Sequence, residues 1–232
     1  MTLKLPFAVC LAVRTLHQNG FSVWLVGGCV RALLLGTQTH DFDLAADARP
    51  EQLLMIFRDH QINQAGIQHG TVMVIISGVP VEITTLRIDG SYSDRRRPDQ
   101  VQFTSQIEHD LARRDFTINA MAWLLQPGCF QFESAYTNDC VLDLPLEQLI
   151  DPFQGQSDLA DGVIRSVGQA DKRFSEDALR IMRALRLAAV MGFSIEEKTA
   201  GAMRRYAVYL QDIARERILQ ELIRMFQGAH IA

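Results

Sequence analysis

The stretch Leu25-Val26-Gly27-Gly28-Cys29-Val30-Arg31-Ala32-Leu33-Leu34-Leu35-Gly36, followed by Asp41-Phe42-Asp43, decides the fold. The apolar run Phe21 to Val26 reads as a strand, and the helical pattern that follows it runs through Leu35 and stops at Gly36. Paired glycines between strand and helix let a backbone come close to a phosphate, and the first turn of the helix offers free N–H groups. Arg31 adds a guanidinium fork suited to a triphosphate. Asp41 to Ala45 reads as a second strand, on which Asp41 and Asp43 share a face while Phe42 turns into the core. Two such carboxylates repel unless a cation sits between them. Hard oxygen ligands on a rigid strand suit Mg²⁺, which keeps its waters and accepts substrate phosphates. Each motif alone also fits a plain strand–helix turn or a common acidic pair; glycine loop and acid pair in this order are far more specific.

Outward from this core the chain divides in two. A helix over 5–18 opens after Pro6, and another runs from Pro50 to about Asp59. Residues 71–77 and 79–87 read as strands of a hairpin around Gly78. Residues 88–100 are polar and read as a mobile loop, 101–104 as a strand and 106–114 as a helix. The apolar run 116–125 suits strand or helix equally. Residues 126–162 hold turn residues and one more short hairpin or helix. Helical patterns then cover 158–161, 171–191, 195–207 and 211–227. The fold class is therefore α+β, with a mixed half over 1–150 and an all-helical half over 151–232.

Composition narrows the function classes. The 232 residues carry a net charge of −4, which argues against a nucleic-acid binder that uses its whole surface. The arginines cluster instead, at Arg95 to Arg97, at Arg113 and Arg114, and at Arg180, Arg183 and Arg186, as local anion sites do. No apolar run is long enough to span a bilayer, and the N-terminus lacks the order of a secretory signal, so a cytoplasmic location is expected. Cys10, Cys29, Cys129 and Cys140 show no zinc spacing and read as reduced, mostly buried thiols.

Two further motifs carry chemistry. In Arg113-Arg114-Asp115-Phe116-Thr117-Ile118-Asn119-Ala120, Arg114 can hold a phosphate, and Asp115 and Asn119 can hydrogen-bond a ribose. A surface ion pair ahead of a buried strand is the plain alternative. In Glu176-Asp177-Ala178-Leu179-Arg180, continuing to Arg183 and Arg186, a helix would place Asp177 and Arg180 on one face. Cytosine and adenine each present an exocyclic amine beside an unprotonated ring nitrogen. A carboxylate accepts from the amine and a guanidinium donates to the ring nitrogen, so the pair admits C and A and rejects U and G. A solvated salt bridge on a helix has the same spacing.

These motifs together resemble the class II tRNA nucleotidyltransferases, or CCA-adding enzymes, and the related bacterial poly(A) polymerases. The match covers roughly 21–226, through 27–31, 34–43, 113–120 and 176–180 and through Arg215-Glu-Arg-Ile with Glu221-Leu. His69-Gly70-Thr71 and Tyr92, Asp94, Arg96, Arg97 and Pro98 also fit. The resemblance implies a polymerase-β-type nucleotidyltransferase head domain followed by a helical neck. It implies Mg²⁺ on Asp41 and Asp43, with Glu82 as the candidate third acid. It implies contacts from Gly28, Arg31 and Arg114 to the incoming nucleotide, base reading by Asp177 and Arg180, and Arg183 and Arg186 lining the same pocket. It also implies a flexible loop over about 86–99 that switches C to A addition. The partners implied are CTP, ATP and the 3′ end of tRNA, and the reaction is two-metal phosphoryl transfer.

The chain departs from the family at Ala32, where most members carry Asp, which removes an ion-pair partner for nearby arginines. Relatives usually continue into body and tail domains that grip tRNA, so a truncated or minimal version, with weak tRNA affinity, is expected. The alternatives within the class are an A-adding enzyme, a CC-adding enzyme and a poly(A) polymerase. The intact 86–99 segment argues against the CC-only form, and the missing basic C-terminus argues against the poly(A) polymerase. The alternative from another class is a catalytically silent nucleotide- or RNA-binding protein, supported by Ala32 alone. A dinucleotide-binding module lacks its third glycine.

Overall fold

The computed structural model describes every residue except 40, 94–97, 128–129, 133–139, 229 and 231–232. The predicted cluster Arg95 to Arg97, the middle of the 86–99 loop and Cys129 therefore lie outside the described residues. The chain forms two compact units. One comprises Met1–Ile88, Val101–Leu111 and Met121–Asp151; the other comprises Asp89–Gln100, Ala112–Ala120 and Pro152–Ala232.

The mixed half runs β1 (Thr2–Leu5), α1 (Phe7–Gln18), β2 (Val23–Val26), α2 (Gly28–Leu34), β3 (Leu44–Ala46), α3 (Pro50–Ile56) and β4 (Gln61–Asn63). It continues through β5 (Thr71–Ile76), β6 (Val79–Thr85), β7 (Arg87–Asp89), β8 (Val101–Phe103), α4 (Ile107–Ala112), β9 (Ala122–Leu125), β10 (Phe130–Phe132), β11 (Cys140–Asp143) and β12 (Leu149–Ile150). Seven strands form one sheet in the order β12-β9-β2-β3-β6-β5-β4. β3 and β6 pair in parallel, and the other pairs are antiparallel.

Period-two patterning builds this sheet. Val72, Val74 and Ile76 of β5 and Val81 and Ile83 of β6 are buried on one face, with more open residues between them. The β5–β6 hairpin turns through Ser77 and Gly78 at φ 50° and 79°, the paired positive values of a tight hairpin turn. Helix α1 begins directly after Pro6 and buries Val9, Ala12, Val13 and Leu16, one helical stripe, in the core that Leu25, Leu44, Ile83 and Trp123 also enter.

Two readings of this half are corrected. The strand placed over Asp41 to Ala45 is Leu44–Ala46, so both acids precede it. The apolar run 116–125 is neither one strand nor one helix: Thr117–Asn119 is a 3₁₀ turn, and β9 starts at Ala122.

The expectation of reduced thiols is also corrected at one pair. Cys10 and Cys140 are joined as a disulfide, with Cα atoms 6.4 Å apart and 130 residues between them in sequence. The reason is topological. β1 pairs antiparallel with β11, Leu5 opposite Cys140, and α1 follows at once, which lays Cys10 over β11. In a reducing compartment the pair would stand as two buried thiols.

The second half carries α5 (Gly155–Ala160), β13 (Val163–Ile164), α6 (Ala170–Glu176), α7 (Leu179–Met191), β14 (Ser194–Ile195), α8 (Glu197–Tyr206) and α9 (Arg215–Phe226). Among the described residues its named strands are the short parallel pair β13 and β14, and its other elements are helical. The single helix expected over 171–191 is broken at Asp177, whose backbone is extended at φ −147°, ψ 105°. Its carboxylate oxygen Oδ1 accepts from the Leu179 N–H at 2.9 Å. A short acidic side chain that bonds the backbone two residues on competes with helix continuation and starts a new helix instead. Among the described residues no helix is long and apolar enough to cross a membrane.

Gly27 is the backbone constraint that sets the strand–helix turn. It has φ 73° and ψ −132°, a region open to glycine and closed to residues with a Cβ. Gly27→Ala is expected to cost about 1–3 kcal/mol, read as a lower urea midpoint; an unchanged midpoint would contradict the strain.

Candidate functional site

In the first unit the acids meet on one face of the large sheet. The parallel register sets Leu44 opposite Ile83, and both side chains enter the core. Asp43 and Glu82, each one residue earlier, therefore point to the other face. The Asp43 carbonyl still accepts from Val26 N–H at 3.1 Å, which keeps that residue in line with β2. Phe42 packs against the core, as the alternation predicts. Glu82 is an exposed residue, yet its carboxyl is pushed up, first by loss of solvent around it and then by the negative charges of Asp43 and Asp41. The three acids thus share one electrostatic field.

The glycine loop lies beside this face. Gly27 caps α2, and the Arg31 N–H donates to its carbonyl at 3.2 Å. A Cβ at Gly28 would stand 3.6 Å from the Arg31 guanidinium, so the bare backbone of Gly28 and the fork of Arg31 border one space. Cys29 is buried beneath them; burial, and then the charge of Asp43, push its thiol up to about 11. Ala32 uses its carbonyl to hold Thr37, accepting from the N–H at 2.9 Å and from the hydroxyl at 3.1 Å.

Fit to a divalent cation can be judged from these residues. The donors are carboxylate oxygens alone, and their mutual repulsion is what a cation relieves. Among the described residues no three His, Cys, Asp or Glu side chains stand close enough to form a complete cage. Mg²⁺ is held by one or two carboxylates, with waters and substrate phosphates completing its shell. The acid pair fits that pattern.

In the second unit the predicted nucleotide residues form an ion-paired cluster. Asp115 is buried, and Arg183 donates to its Oδ2 through Nε and Nη2, each at 2.7 Å. Its Oδ1 accepts from the Phe116 N–H at 2.8 Å and from Asn119 Nδ2 at 3.0 Å. Burial works against the charge of Asp115, but Arg183 and Asn119 outweigh it and hold the carboxyl well below the usual range. Asp115 in turn holds the Arg183 guanidinium above its ordinary value. Arg114 lies half-buried one residue earlier.

Asp177 and Arg180 stand one turn apart at the start of α7, and neither is the other's side-chain partner. Asp177 Oδ2 accepts from Arg217 Nη2 at 3.2 Å. Arg180 Nη1 donates to Glu176 Oε2 at 2.8 Å and to the Arg173 carbonyl at 2.9 Å, while its Nη2 donates to the Arg113 carbonyl at 3.1 Å. Arg186 donates to Glu221 of α9 at 2.5 Å. Sequence reading missed Glu176 and Glu221 as the partners that hold these arginines. For Glu176 the signal was present, because a Glu four residues before an Arg is a favoured helical ion pair. For Glu221 no sequence signal joins it to Arg186.

The depressed carboxyl of Asp115 has a stability consequence with a definite sign. A group whose folded value lies below its unfolded value stabilises the fold above the unfolded pKa, about 3.9 for Asp, and loses that contribution as pH falls below it. Asp115→Asn is expected to cost roughly 2 kcal/mol at pH 7, discounted for the partial exposure of Arg183. It should also flatten the fall in stability below about pH 4. Urea unfolding of both proteins at pH 7 and pH 3 measures this; the same pH slope in both would contradict it.

Residues 23–165 match the family model of the poly A polymerase head domain, and residues 192–232 match a model described as the probable RNA and SrmB-binding site of polymerase A. The chain is 43% identical over 218 residues to the CCA-adding enzyme of Oceanobacillus iheyensis, covering 94% of this chain and 49% of that one. It is 44% identical over 214 residues to the CCA-adding enzyme of Leuconostoc mesenteroides, covering 92% and 48%. Its fold is similar to the crystal structure of the Bacillus stearothermophilus CCA-adding enzyme in complex with CTP, with a TM-score of 0.77 at 36% identity, covering 96% and 49%. It is also similar to the Thermotoga maritima CCA-adding enzyme complexed with tRNA, with a TM-score of 0.70 at 28% identity, covering 94% and 46%. The chain spans about half the length of the curated relatives it matches. With its acid face and glycine turn on a polymerase-β-type nucleotidyltransferase head, the chain belongs to the poly A polymerase head-domain family.

Proposed function

We propose that this chain transfers nucleotides from CTP and ATP to the 3′ end of tRNA, building C-C-A. The single observation that carries the reading is the acid face, where the β3–β6 register sets Asp43 beside Glu82 and the field of Asp41 reaches the same carboxyl. The similarity to CCA-adding enzymes solved with CTP, with ATP and with tRNA supports it. In this reading residues 1–150 are the catalytic head and residues 151–232 the neck that reads the base, and the cytoplasm is the compartment.

Asp41 and Asp43, with Glu82 as the third acid, would hold Mg²⁺. When bound, the metal lowers the pKa of the RNA 3′-hydroxyl and neutralises charge on the departing pyrophosphate. The chain's own residues do the positioning. The Gly28 backbone and Arg31 receive the triphosphate, and Arg114, Asp115 and Asn119 hold phosphate and sugar. Asp177 accepts from the amine of C or A while Arg180 donates to the ring nitrogen. Arg183 and Arg186 line the same pocket. Attack on the α-phosphorus forms the new phosphodiester and releases pyrophosphate, with no covalent enzyme intermediate.

Incorporation of labelled CTP and ATP, with Mg²⁺, on tRNAs ending before C, before the second C and before A tests this reading. Extension by C, C and then A, stopping there, is expected. Addition of one nucleotide type alone, or a long A tail, would replace it with a specialised enzyme or a poly(A) polymerase. Asp41→Ala and Asp43→Ala should each abolish incorporation while circular dichroism stays unchanged; full activity in either would overturn the metal assignment. Asp177→Ala should admit UTP and GTP, and unchanged discrimination would refute the base-reading role.

A further inference from the structure

In the second unit a run of hydrogen-bonded polar side chains, Thr117, Asp158, Arg165, Glu196 and Thr199, has no part in the proposed reaction. Thr117 Oγ1 donates to Asp158 Oδ2 of α5 at 2.6 Å, and both residues are buried. Arg165 Nε donates to both Asp158 oxygens at 3.1 Å, and Arg165 Nη1 pairs with Glu196 Oε1 at 3.1 Å. Glu196 Oε2 in turn accepts from the N–H of Thr199 at 2.7 Å and from its hydroxyl at 2.8 Å. This run ends on the segment that carries Arg114, Asp115 and Asn119.

The backbone shows what the contact does. Phe116 is extended at φ −127°, ψ 151°, and forms an isolated antiparallel bridge with Ser166. Val167 N–H donates to the Asp115 carbonyl at 3.1 Å and Thr117 N–H to the Arg165 carbonyl at 2.9 Å. Side chains on either side of an extended residue share a face. Asp115 and Thr117 therefore leave the segment together, opposite the buried ring of Phe116. Asp115 is gripped from α7 by Arg183, and Thr117 from α5 by Asp158. The backbone bonds already tie the segment to its neighbours, so the two side-chain grips set its tilt about the bridge. That tilt decides where Arg114 and Asn119 point.

We propose that Asp158 and Thr117 are positioning residues for nucleotide binding, acting through the orientation of the 113–119 turn. The inference rests on the nucleotide-binding reading of Arg114, Asp115 and Asn119. Thr117 and Asp158 bond to each other and to Arg165, and in the proposal they act through the turn and make no contact of their own with the nucleotide. Their removal weakens CTP and ATP alike, because the turn holds phosphate and sugar and leaves base choice to Asp177 and Arg180.

The test is isothermal titration of the full chain with CTP and with ATP in Mg²⁺, alongside steady-state incorporation. Thr117→Val, which keeps shape and removes the hydroxyl, should raise Kd and KM for both nucleotides on the order of tenfold, the size of one charge-assisted hydrogen bond, with kcat little changed. Thr117→Ser, which restores the hydroxyl, should bind within about twofold of wild type. Asp158→Asn, read in the same way, supplies the second variant if the valine protein does not fold. A merely structural role would lower the active fraction and hence kcat, and would leave KM unmoved. Wild-type affinity in both Thr117→Val and Asp158→Asn, or equal weakening in the valine and serine variants, overturns the proposal. A wild-type chain that binds neither nucleotide overturns the functional reading itself, and the proposal with it.

Discussion

The parallel pairing of β3 with β6 orders the first unit. Leu44 and Ile83 are opposite one another and both are buried, and period-two alternation then leaves Asp43 and Glu82 no choice of face. A slip of β3 by one residue against β6 would turn Asp43 toward the core and Leu44 away from it, while β6 kept its faces, burying a carboxylate at a high cost. Asp43 and Glu82 are thus aligned by hydrophobic burial on the opposite side of the sheet. No bond between the acids is needed to bring them together, and their repulsion is carried by the packing beneath them.

The glycine turn obeys the same logic. Gly27 takes a backbone conformation closed to other residues, so β2 can pass directly into α2. The turn ends next to Asp43 because the Asp43 carbonyl accepts from Val26 N–H, the residue before Gly27. One backbone bond therefore ties the glycine turn to Asp43.

The second unit solves a different problem, that of holding several arginines close together. Each is matched to a carboxylate: Arg180 to Glu176 four residues before it, and Arg183 to Asp115, Arg186 to Glu221 and Arg217 to Asp177 across longer stretches of chain. Carboxylates at these positions offset the desolvation that a buried guanidinium would otherwise suffer. The break at Asp177 belongs to this design. Its carboxylate bonds the backbone of α7 with one oxygen and Arg217 with the other, which holds the group at the helix start.

Much of this was legible in the sequence, and the division follows the range of the forces. Contacts over a few residues set the glycine turn, the hairpin at Ser77 and Gly78, the inward and outward sides of β5 and β6, and the stripe of α1. The placement of Asp41, Asp43 and Phe42 on opposite sides follows from alternation alone, even though the strand itself begins only at Leu44. The split of 116–125 was not legible, because a uniformly apolar run carries no period, and the bridge of Phe116 to Ser166 decides it. The break at Asp177 was hidden because a helical pattern continues on both sides of it. The disulfide of Cys10 with Cys140, the grip of Asp158 on Thr117 and the pairing of Glu221 with Arg186 join residues far apart in the chain. By itself the sequence determined the chemistry and the local geometry of each motif, since residue type and spacing act within a turn or a strand. Only the tertiary structure decided which distant carboxylate holds Arg183, Arg186 and Arg217, because those partners are chosen by how the segments pack.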